Sequence, residues 1–229
     1  MIARLVESRE IAPLVRHFVF ETPEVERLGF IPGQFVSLSE TIGGKEITRA
    51  YSIASPPNGN RFDLCLNLVE DGLFSPHLFQ MQPGDVVKTS APLGFFTLRD
   101  SGRDAIFVAT GTGIAPFRSI VHAQVQREPA REMTLVFGVR FEANIMYREE
   151  FERFEREHPD FHFRPTLSRA GDGWTGRTGH VQGHVLEAIG DRRDLDVYIC
   201  GLKAMVDDVR AILKALGFDR KQIIFEKYD

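Results

Sequence analysis

The sequence predicts two architectures in series: an all-β barrel or sandwich over residues 1–100, then an α/β domain built on a parallel sheet over residues 101–229. Three observations predict this. Up to Leu98, short runs rich in β-branched and aromatic residues alternate with Gly/Pro turn signals. After Ser101-Gly102-Arg103, apolar strand-like runs alternate with helical stretches, as in βα units whose sheet is covered on both faces. The length, 229 residues, suits two domains of about 100–130 residues each.

The strand candidates of the first part are residues 3–8, 14–21, 34–39, 50–54, 62–69 and 85–90. They are separated by Pro32-Gly33, Gly43-Gly44, Pro56-Pro57-Asn58-Gly59 and Pro83-Gly84, residue types that pre-set or permit turn dihedrals. Ser75-Pro76-His77-Leu78-Phe79 interrupts them as one or two helical turns. In the second part, 105–110 is an uninterrupted apolar strand, followed by the loop 111–116 and a helix to about Gln126. Further strands are expected at 133–139, 161–167, 197–200 and 222–226, with helices at 147–158, 183–189 and 203–216. In the last of these Met205, Val209, Ile212 and Leu216 share one face.

Composition narrows the function classes. A formal net charge of −4 gives no reason to expect nucleic acid or an anionic membrane as partner. No apolar run approaches the ~20 residues needed to span a bilayer, and MIARLVESRE carries charges where a signal peptide needs an apolar stretch. A cytoplasmic location is therefore expected. Two cysteines, Cys65 and Cys200, support no disulfide framework and cannot supply the four thiolates of an iron–sulfur cluster. The seven histidines show no HExxH or CxxC-plus-His spacing, so no metal site is expected. Redox chemistry in this chain calls for an organic cofactor.

Three segments carry chemistry. In Arg49-Ala50-Tyr51-Ser52-Ile53-Ala54-Ser55, strand alternation puts Arg49 and Tyr51 on one face and Ser52 on the other. A guanidinium suits a phosphate and a phenol ring suits stacking on a planar heterocycle; the pattern alone equally describes a strand with a surface Arg and a half-buried Tyr. In Gly72-Leu73-Phe74-Ser75-Pro76, Ser75 suits an N-cap and Pro76 the first helical position. That makes an anion site at a helix N-terminus, or simply a capped helix plugging a barrel end. Thr110-Gly111-Thr112-Gly113-Ile114-Ala115-Pro116 follows a strand and opens a helix, the context of a dinucleotide-binding loop. It departs from GxGxxG, with Pro116 in place of the third glycine, and a ligand-free tight turn is the other reading.

RxYSxAS, then GxxS some twenty residues on, then GTGIAP at the head of an α/β half, resembles the ferredoxin–NADP⁺ reductase superfamily. Pro32-Gly33-Gln34-Phe35, Pro92-Leu93-Gly94-Phe95-Phe96, Phe137-Gly138-Val139-Arg140, Leu167-Ser168-Arg169, Trp174-Thr175-Gly176-Arg177 and Cys200-Gly201 follow in family order over nearly the whole chain. The resemblance implies a flavin-binding antiparallel Greek-key barrel followed by a Rossmann-like nucleotide-binding domain. It implies non-covalent FAD and hydride exchange between a nicotinamide and the flavin. Single electrons would pass to or from a small carrier such as ferredoxin or flavodoxin.

By the same resemblance, Arg49 contacts the flavin phosphates, Tyr51 stacks on the isoalloxazine and Ser52 hydrogen-bonds near its N5. Gly72 and Ser75 belong to the flavin phosphate site. Thr110, Gly111, Thr112 and Gly113 hold the nicotinamide nucleotide's pyrophosphate, with Pro116 shaping the loop, and Arg140 joins that nucleotide set. Cys200 sits where the family places a thiol beside nicotinamide C4; otherwise it reads as a small buried residue. Ser168 and Arg169 resemble the pair that holds a 2′-phosphate, favouring NADPH over NADH, although Trp174-Thr175-Gly176-Arg177 is similar to a segment of NADH-using oxygenase reductases. Plant-type members end in an aromatic residue over the flavin, whereas here Tyr228 is followed by Asp229. Tyr228 is the candidate flavin cover and Glu226 the candidate for proton delivery, a terminal strand with an exposed Tyr being the plain reading. His180, His184 and the Arg-rich stretch 148–156 read as solvated surface.

Alternatives within enzymes are an NAD(P)H:flavin reductase using flavin as substrate and the reductase subunit of an oxygenase. The alternative outside them is a redox-dead nucleotide-binding module.

Overall fold

Alternation of inward and outward side chains turns the first part of the chain into a barrel. In Val15–Glu21, Phe18 and Phe20 point inward and are fully buried, and Phe62, Leu64 and Leu66 do the same in Arg61–Asn67. The computed structural model describes residues 1–125, 127 and 131–228. The expected helix end at Gln126, and Asp229, lie outside the described residues. The chain divides into two compact units, Met1–Leu98 with Arg118–His122, and Arg99–Phe117 with Ala123–Asp229.

The first unit contains β1 (Ile2–Ala12), β2 (Val15–Glu21), β3 (Phe35–Ile42), β4 (Lys45–Ser52), β5 (Arg61–Asn67), α1 (Phe74–Gln80) and β6 (Val86–Thr89). All its strand pairs are antiparallel, in the order β4-β3-β6-β1-β2-β5. A bridge between Ile53 and Leu64 joins the exit of β4 to β5 and closes the barrel. Three consecutive strands, β3 to β5, are followed by β6 returning beside β3, the Greek-key connection. The interior is aromatic: Phe18 and Phe20 stack at 6.1 Å, and Phe20 and Phe62 at 5.6 Å. Each ring buried in this way contributes about 1.5–3 kcal/mol. Helix α1 plugs the core with Phe74 and Leu78.

The second unit contains β7 (Ala105–Thr110), β8 (Met133–Val139), α3 (Arg148–Glu157), β9 (Phe161–Leu167), β10 (Arg177–Thr178), α4 (Val181–Ile189), β11 (Asp196–Leu202), α5 (Lys203–Ala215) and β12 (Ile223–Tyr228). Helix α2 (Ile114–Gln124) begins in this unit, and its residues Arg118–His122 belong to the first. The sheet is parallel throughout, in the order β10-β9-β8-β7-β11-β12. Its strands are apolar because both faces are covered. On one face Val181, Val185 and Ile189 of α4 and Val206, Val209 and Leu213 of α5 pack on Ile106, Val108, Val197 and Ile199. On the other, Phe117 stacks on Phe107 at 5.0 Å and Phe151 on Phe163 at 5.2 Å. From β7 the chain runs outward through β8, β9 and β10, then returns to place β11 and β12 on the other side of β7. Strand order thus reverses between β7 and β11, and ligands of such sheets bind at the carboxyl ends of the strands at that point.

Among the boundaries that differ from expectation, two do so for one physical reason. Strand β4 begins at Lys45, five residues before the predicted start, and β1 runs on to Ala12. Lys45–Thr48 and Glu7–Glu10 face solvent on one or both sides, so they lack the apolar alternation that marks a strand in sequence.

Candidate functional site

Strand β4 places Arg49 opposite Leu38 and Tyr51 opposite Val36 on β3. Their side chains share a face, while Ser52, the last residue of the strand, is buried on the other. Tyr51 is half-buried and lies against Phe74 of α1, with ring centroids 6.2 Å apart and planes 23° apart. Burial pushes its hydroxyl up to about 12, partly opposed by the neighbouring Arg49 guanidinium. The phenol therefore stays protonated across the neutral range, a flat ring with a hydroxyl donor. Arg49 is exposed, its Nη1 donating to the Thr48 carbonyl at 2.8 Å, and among the described residues it joins no ion pair. A stacking ring beside an exposed cation suits a planar heterocycle carrying phosphate.

The start of α1 differs from expectation. The helix begins at Phe74 with Leu73 as N-cap and no side-chain cap bond. The Ser75 hydroxyl instead accepts the Val69 N–H at 2.9 Å, closing the preceding turn, and Ser75 itself stands inside the helix, past the cap position. Gly72 N–H donates to the Val69 carbonyl at 2.9 Å, and a Cβ there would lie 3.0 Å from that oxygen. Gly72 and Ser75 thus shape one tight turn, and the Tyr51–Phe74 contact brings this turn beside β4.

At the carboxyl end of β7 the chain makes a short 3₁₀ turn, Gly111–Gly113, before α2. Gly111 takes φ +53°, and a Cβ on it would meet nothing within 4 Å, so this side of the loop is open to a ligand. Gly113 faces the opposite demand: a Cβ would fall 2.3 Å from the Cys200 carbonyl oxygen. Thr110 Oγ1 accepts the Leu202 N–H at 3.2 Å, which ties the loop to the end of β11. Pro116 is buried in the first turn of α2, where its missing N–H costs no helical bond. Thr112 is half-buried in the turn.

Across the switch point, Cys200, Glu226 and Tyr228 come together. In the β11–β12 ladder Cys200 pairs with Glu226 and Leu202 with Tyr228. Cys200 is fully buried and hydrogen-bonded to the Tyr228 side chain. Burial pushes its thiol well above the ordinary range; the Tyr228 hydrogen bond lowers it and the Glu226 carboxylate adds a smaller rise. Cys200 is a neutral thiol, so it offers shape and polarisability to a ligand, without charge. Glu226 and Tyr228 are half-buried.

Arg140 and Arg169 follow the carboxyl ends of β8 and β9, and their backbones run side by side. Ser168 N–H donates to the Val139 carbonyl at 3.0 Å and Arg169 N–H to the Arg140 carbonyl at 2.9 Å. Arg140, Ser168 and Arg169 are all exposed, two guanidinium groups and a hydroxyl on adjoining loops, a donor set suited to phosphate. Trp174 donates to the Arg177 carbonyl at 2.8 Å, and the Arg148 guanidinium lies 5.6 Å from its ring centre.

His184 is not solvated surface: its Nε2 is 2.9 Å from the Thr178 carbonyl and its Nδ1 3.2 Å from Glu187. Gly201 has a role that the Cys200-Gly201 segment does not reveal in sequence. A Cβ there would fall 2.3 Å from Thr110 Oγ1, so this glycine lets the end of β11 close on the end of β7. Nor does the sequence mark Phe74 as the partner of Tyr51. Both residues lie inside motif segments, but their partners are distant in sequence.

Comparison with known proteins agrees with this geometry. Residues 2–98 match the family described as oxidoreductase FAD-binding domain, and residues 107–211 that described as oxidoreductase NAD-binding domain. Ferredoxin–NADP reductase B of Sorangium cellulosum (strain So ce56) is 42% identical over 238 residues, covering 99% of this chain and 97% of that protein. Among solved structures, a cytochrome P450 reductase of Amycolatopsis superposes with a TM-score of 0.89 at 30% identity, over 98% of this chain and 68% of that one. A ferredoxin NADP⁺ reductase from Neisseria gonorrhoeae, with bound FAD and NADP, gives 0.86 at 25% identity over 99% and 98%. The likeness spans both halves and the switch point between β7 and β11, and the chain belongs to the ferredoxin–NADP⁺ reductase superfamily as an oxidoreductase that uses FAD and NAD(P)H.

Proposed function

We propose that this chain exchanges hydride between NADPH and a resident, non-covalent FAD and passes electrons singly to or from a small carrier such as ferredoxin or flavodoxin. The observation that carries the nucleotide side is the open flank of Gly111 at the switch point, beside a buried neutral thiol and a half-buried carboxylate. Residues 1–100 form the flavin domain in this reading and residues 101–229 the nucleotide domain.

FAD, when bound, supplies an acceptor for hydride and a donor of single electrons, and the protein contributes binding, orientation and electrostatics. Arg49 pairs with flavin phosphate, Tyr51 offers its ring for stacking, and Ser52 holds the hydrogen bond near N5. The turn at Gly72 and Ser75 brings backbone N–H groups to the flavin phosphates. Gly111, Thr112 and Gly113 take the pyrophosphate of the nicotinamide nucleotide, with Thr110 and Pro116 fixing the loop. Cys200 packs beside the nicotinamide, Tyr228 covers the flavin and Glu226 handles the proton. Preference for NADPH rests on Arg140, Ser168 and Arg169, whose exposed donors suit a 2′-phosphate. The 42% identity to a ferredoxin–NADP reductase supports the choice of carrier. Both cysteines are buried, which fits a reducing cytoplasm.

The test is the flavin content and visible spectrum of the purified protein, followed by anaerobic titration with NADPH and with NADH. A yellow protein bleached at lower NADPH than NADH is the expected result. A folded protein that retains no FAD and does not bleach sinks the proposal. The 30% identity to a cytochrome P450 reductase supports a second reading, in which the acceptor belongs to an oxygenase system. Cytochrome c reduction that gains nothing from added ferredoxin or flavodoxin favours it.

A further inference from the structure

A buried polar network stands on the outer face of the β2–β5 ladder, and nothing in the proposed electron path uses it. Phe18, Phe20, Phe62 and Leu64 fill the barrel interior, so their neighbours His17 and Asp63 point outward. Both are nonetheless withdrawn from solvent, with side chains 4% and 18% exposed. They are covered by Arg118, itself 11% exposed, within the segment Arg118–His122 of the same compact unit. Arg118 Nη1 lies 3.2 Å from Asp63 Oδ2, and His17 Nε2 lies 3.5 Å from the same oxygen.

The network closes on the backbone that leaves β4. Arg118 Nη1 also donates to the Ala54 carbonyl at 2.9 Å. Ala54 N–H donates to the Asp63 carbonyl at 2.8 Å, and Asp63 N–H donates to the Ser55 hydroxyl at 3.0 Å. The Ser119 hydroxyl donates to the Ser55 carbonyl, and Ile53 N–H to the Gln34 carbonyl at 2.9 Å. Every backbone polar group from Ile53 N–H to Ser55 that these bonds reach is thereby pinned, starting one residue after Ser52. A buried charge is retained only where it is paired, and a bond to a carbonyl in a dry setting is worth more than one in water. An ion pair whose donor also grips the strand exit is a device for holding geometry, since a hydrophobic pair would bury as much area without aiming anything.

We infer that Arg118 and Asp63 are positioning residues for the flavin: by fixing Ala54 and Ser55 they set where Ser52 and Tyr51 stand. The inference rests on the proposed role of Ser52 and Tyr51 in holding FAD. Arg118, Asp63 and Ser119 lie outside the motif whose exit they hold, and the guanidinium serves two acceptors with one nitrogen.

The experiment compares Arg118→Met, Arg118→Lys, Asp63→Asn and the double Asp63→Asn/Arg118→Met variant with the intact chain, and includes Ser52→Ala and the exposed-site control Arg61→Met. Far-UV circular dichroism establishes that each variant folds. The readouts are FAD dissociation constant by titration of the apoprotein, the visible absorption of bound FAD and its midpoint potential, none of which needs turnover. Arg118→Met and Asp63→Asn are expected to weaken FAD binding at least about tenfold and to shift the potential in the same direction as Ser52→Ala. Arg118→Lys, which keeps a cationic donor, should recover most of the loss, and the double variant should lose less than the product of the singles. If Arg118→Met does not fold, Ser119→Ala, which deletes only the hydroxyl on Ser55, carries the test with a smaller shift of the same sign. Wild-type binding and potential in the Arg118 and Asp63 variants, with Ser52→Ala altered, overturns the inference and leaves the flavin reading intact. An unaltered Ser52→Ala overturns both. A loss no larger than that of Arg61→Met also overturns it.

Discussion

Gly113 stands so close to Cys200 that a methyl group at its Cα would fall 2.3 Å from the Cys200 carbonyl oxygen and 2.6 Å from its carbon. The neighbour is backbone on a central strand, so nothing cheap can move aside. Gly111, two residues away, has open space in the same test.

Gly113→Ala is therefore expected to cost stability, about 1–3 kcal/mol, as overpacking does, with weaker nucleotide binding as a consequence. Gly111→Ala should behave the other way: it pays only the strain of a left-handed φ, about 1 kcal/mol, but puts a methyl group where the pyrophosphate is proposed to lie. Thermal unfolding of the apoprotein and titration with NADP⁺ separate the two. A Gly111→Ala protein that binds normally would remove this loop from the site.

Tyr51 makes the fold sensitive to alkali. Its folded value of about 12, above the ordinary 10.0, is due to burial. Between these values the unfolded chain has lost the phenolic proton and the folded one keeps it, so stability is full below pH 10 and falls as pH rises towards 12. At most about 2 kcal/mol is at stake for a half-buried group. Tyr51→Phe should flatten this part of the pH–stability profile of the apoprotein, measured by urea unfolding; an unchanged slope would place the phenol in solvent.

Cys200 is expected to resist thiol reagents at pH 8 in the folded protein and to react at once on unfolding. Burial is the largest influence on its thiol, ahead of Tyr228 and Glu226. Tyr228→Phe and Glu226→Gln should therefore leave it unreactive. Counting thiols with an aromatic disulfide reagent, with and without denaturant, checks this.

Arg169→Ala is expected to raise the KM for NADPH about tenfold or more, the worth of one charge-assisted hydrogen bond, and to leave the KM for NADH within about twofold. Arg140→Ala should act in the same direction, since the two loops run backbone to backbone. Equal losses with both nucleotides would remove the 2′-phosphate from this surface.

Much of this was legible in the sequence because much of it is local. Residues 105–110 and 133–139 are apolar on both faces, and the structure makes them β7 and β8 with those bounds. The GTG loop announces itself by following one of these strands. Strand β4 is half-hidden because Lys45-Glu46-Ile47-Thr48 turns only Ile47 toward the core, too little to alternate. The outward pair His17 and Asp63 could not be told from ordinary surface, since the segment that covers them lies 55 residues beyond Asp63. Ser75 looked like a cap, and its hydroxyl went to the Val69 N–H of its own turn. A side chain with two nearby backbone partners gives no sign in sequence of which it takes.

The placement of β11 beside β7 bears on how the chain matures. Thr110 and Leu202, which the hydrogen bond between their strands unites, are 92 residues apart. Three strands can assemble on one flank of β7 by short steps, while its other flank waits for a chain segment made much later. Closing so long a loop is slow, and during synthesis β7 must stand for some time with an unpaired apolar edge. The nucleotide pocket is then the last part of its unit to exist, and a ribosome-bound nascent chain halted before β11 has emerged should expose that edge to chaperones and have no NADP⁺ binding of its own.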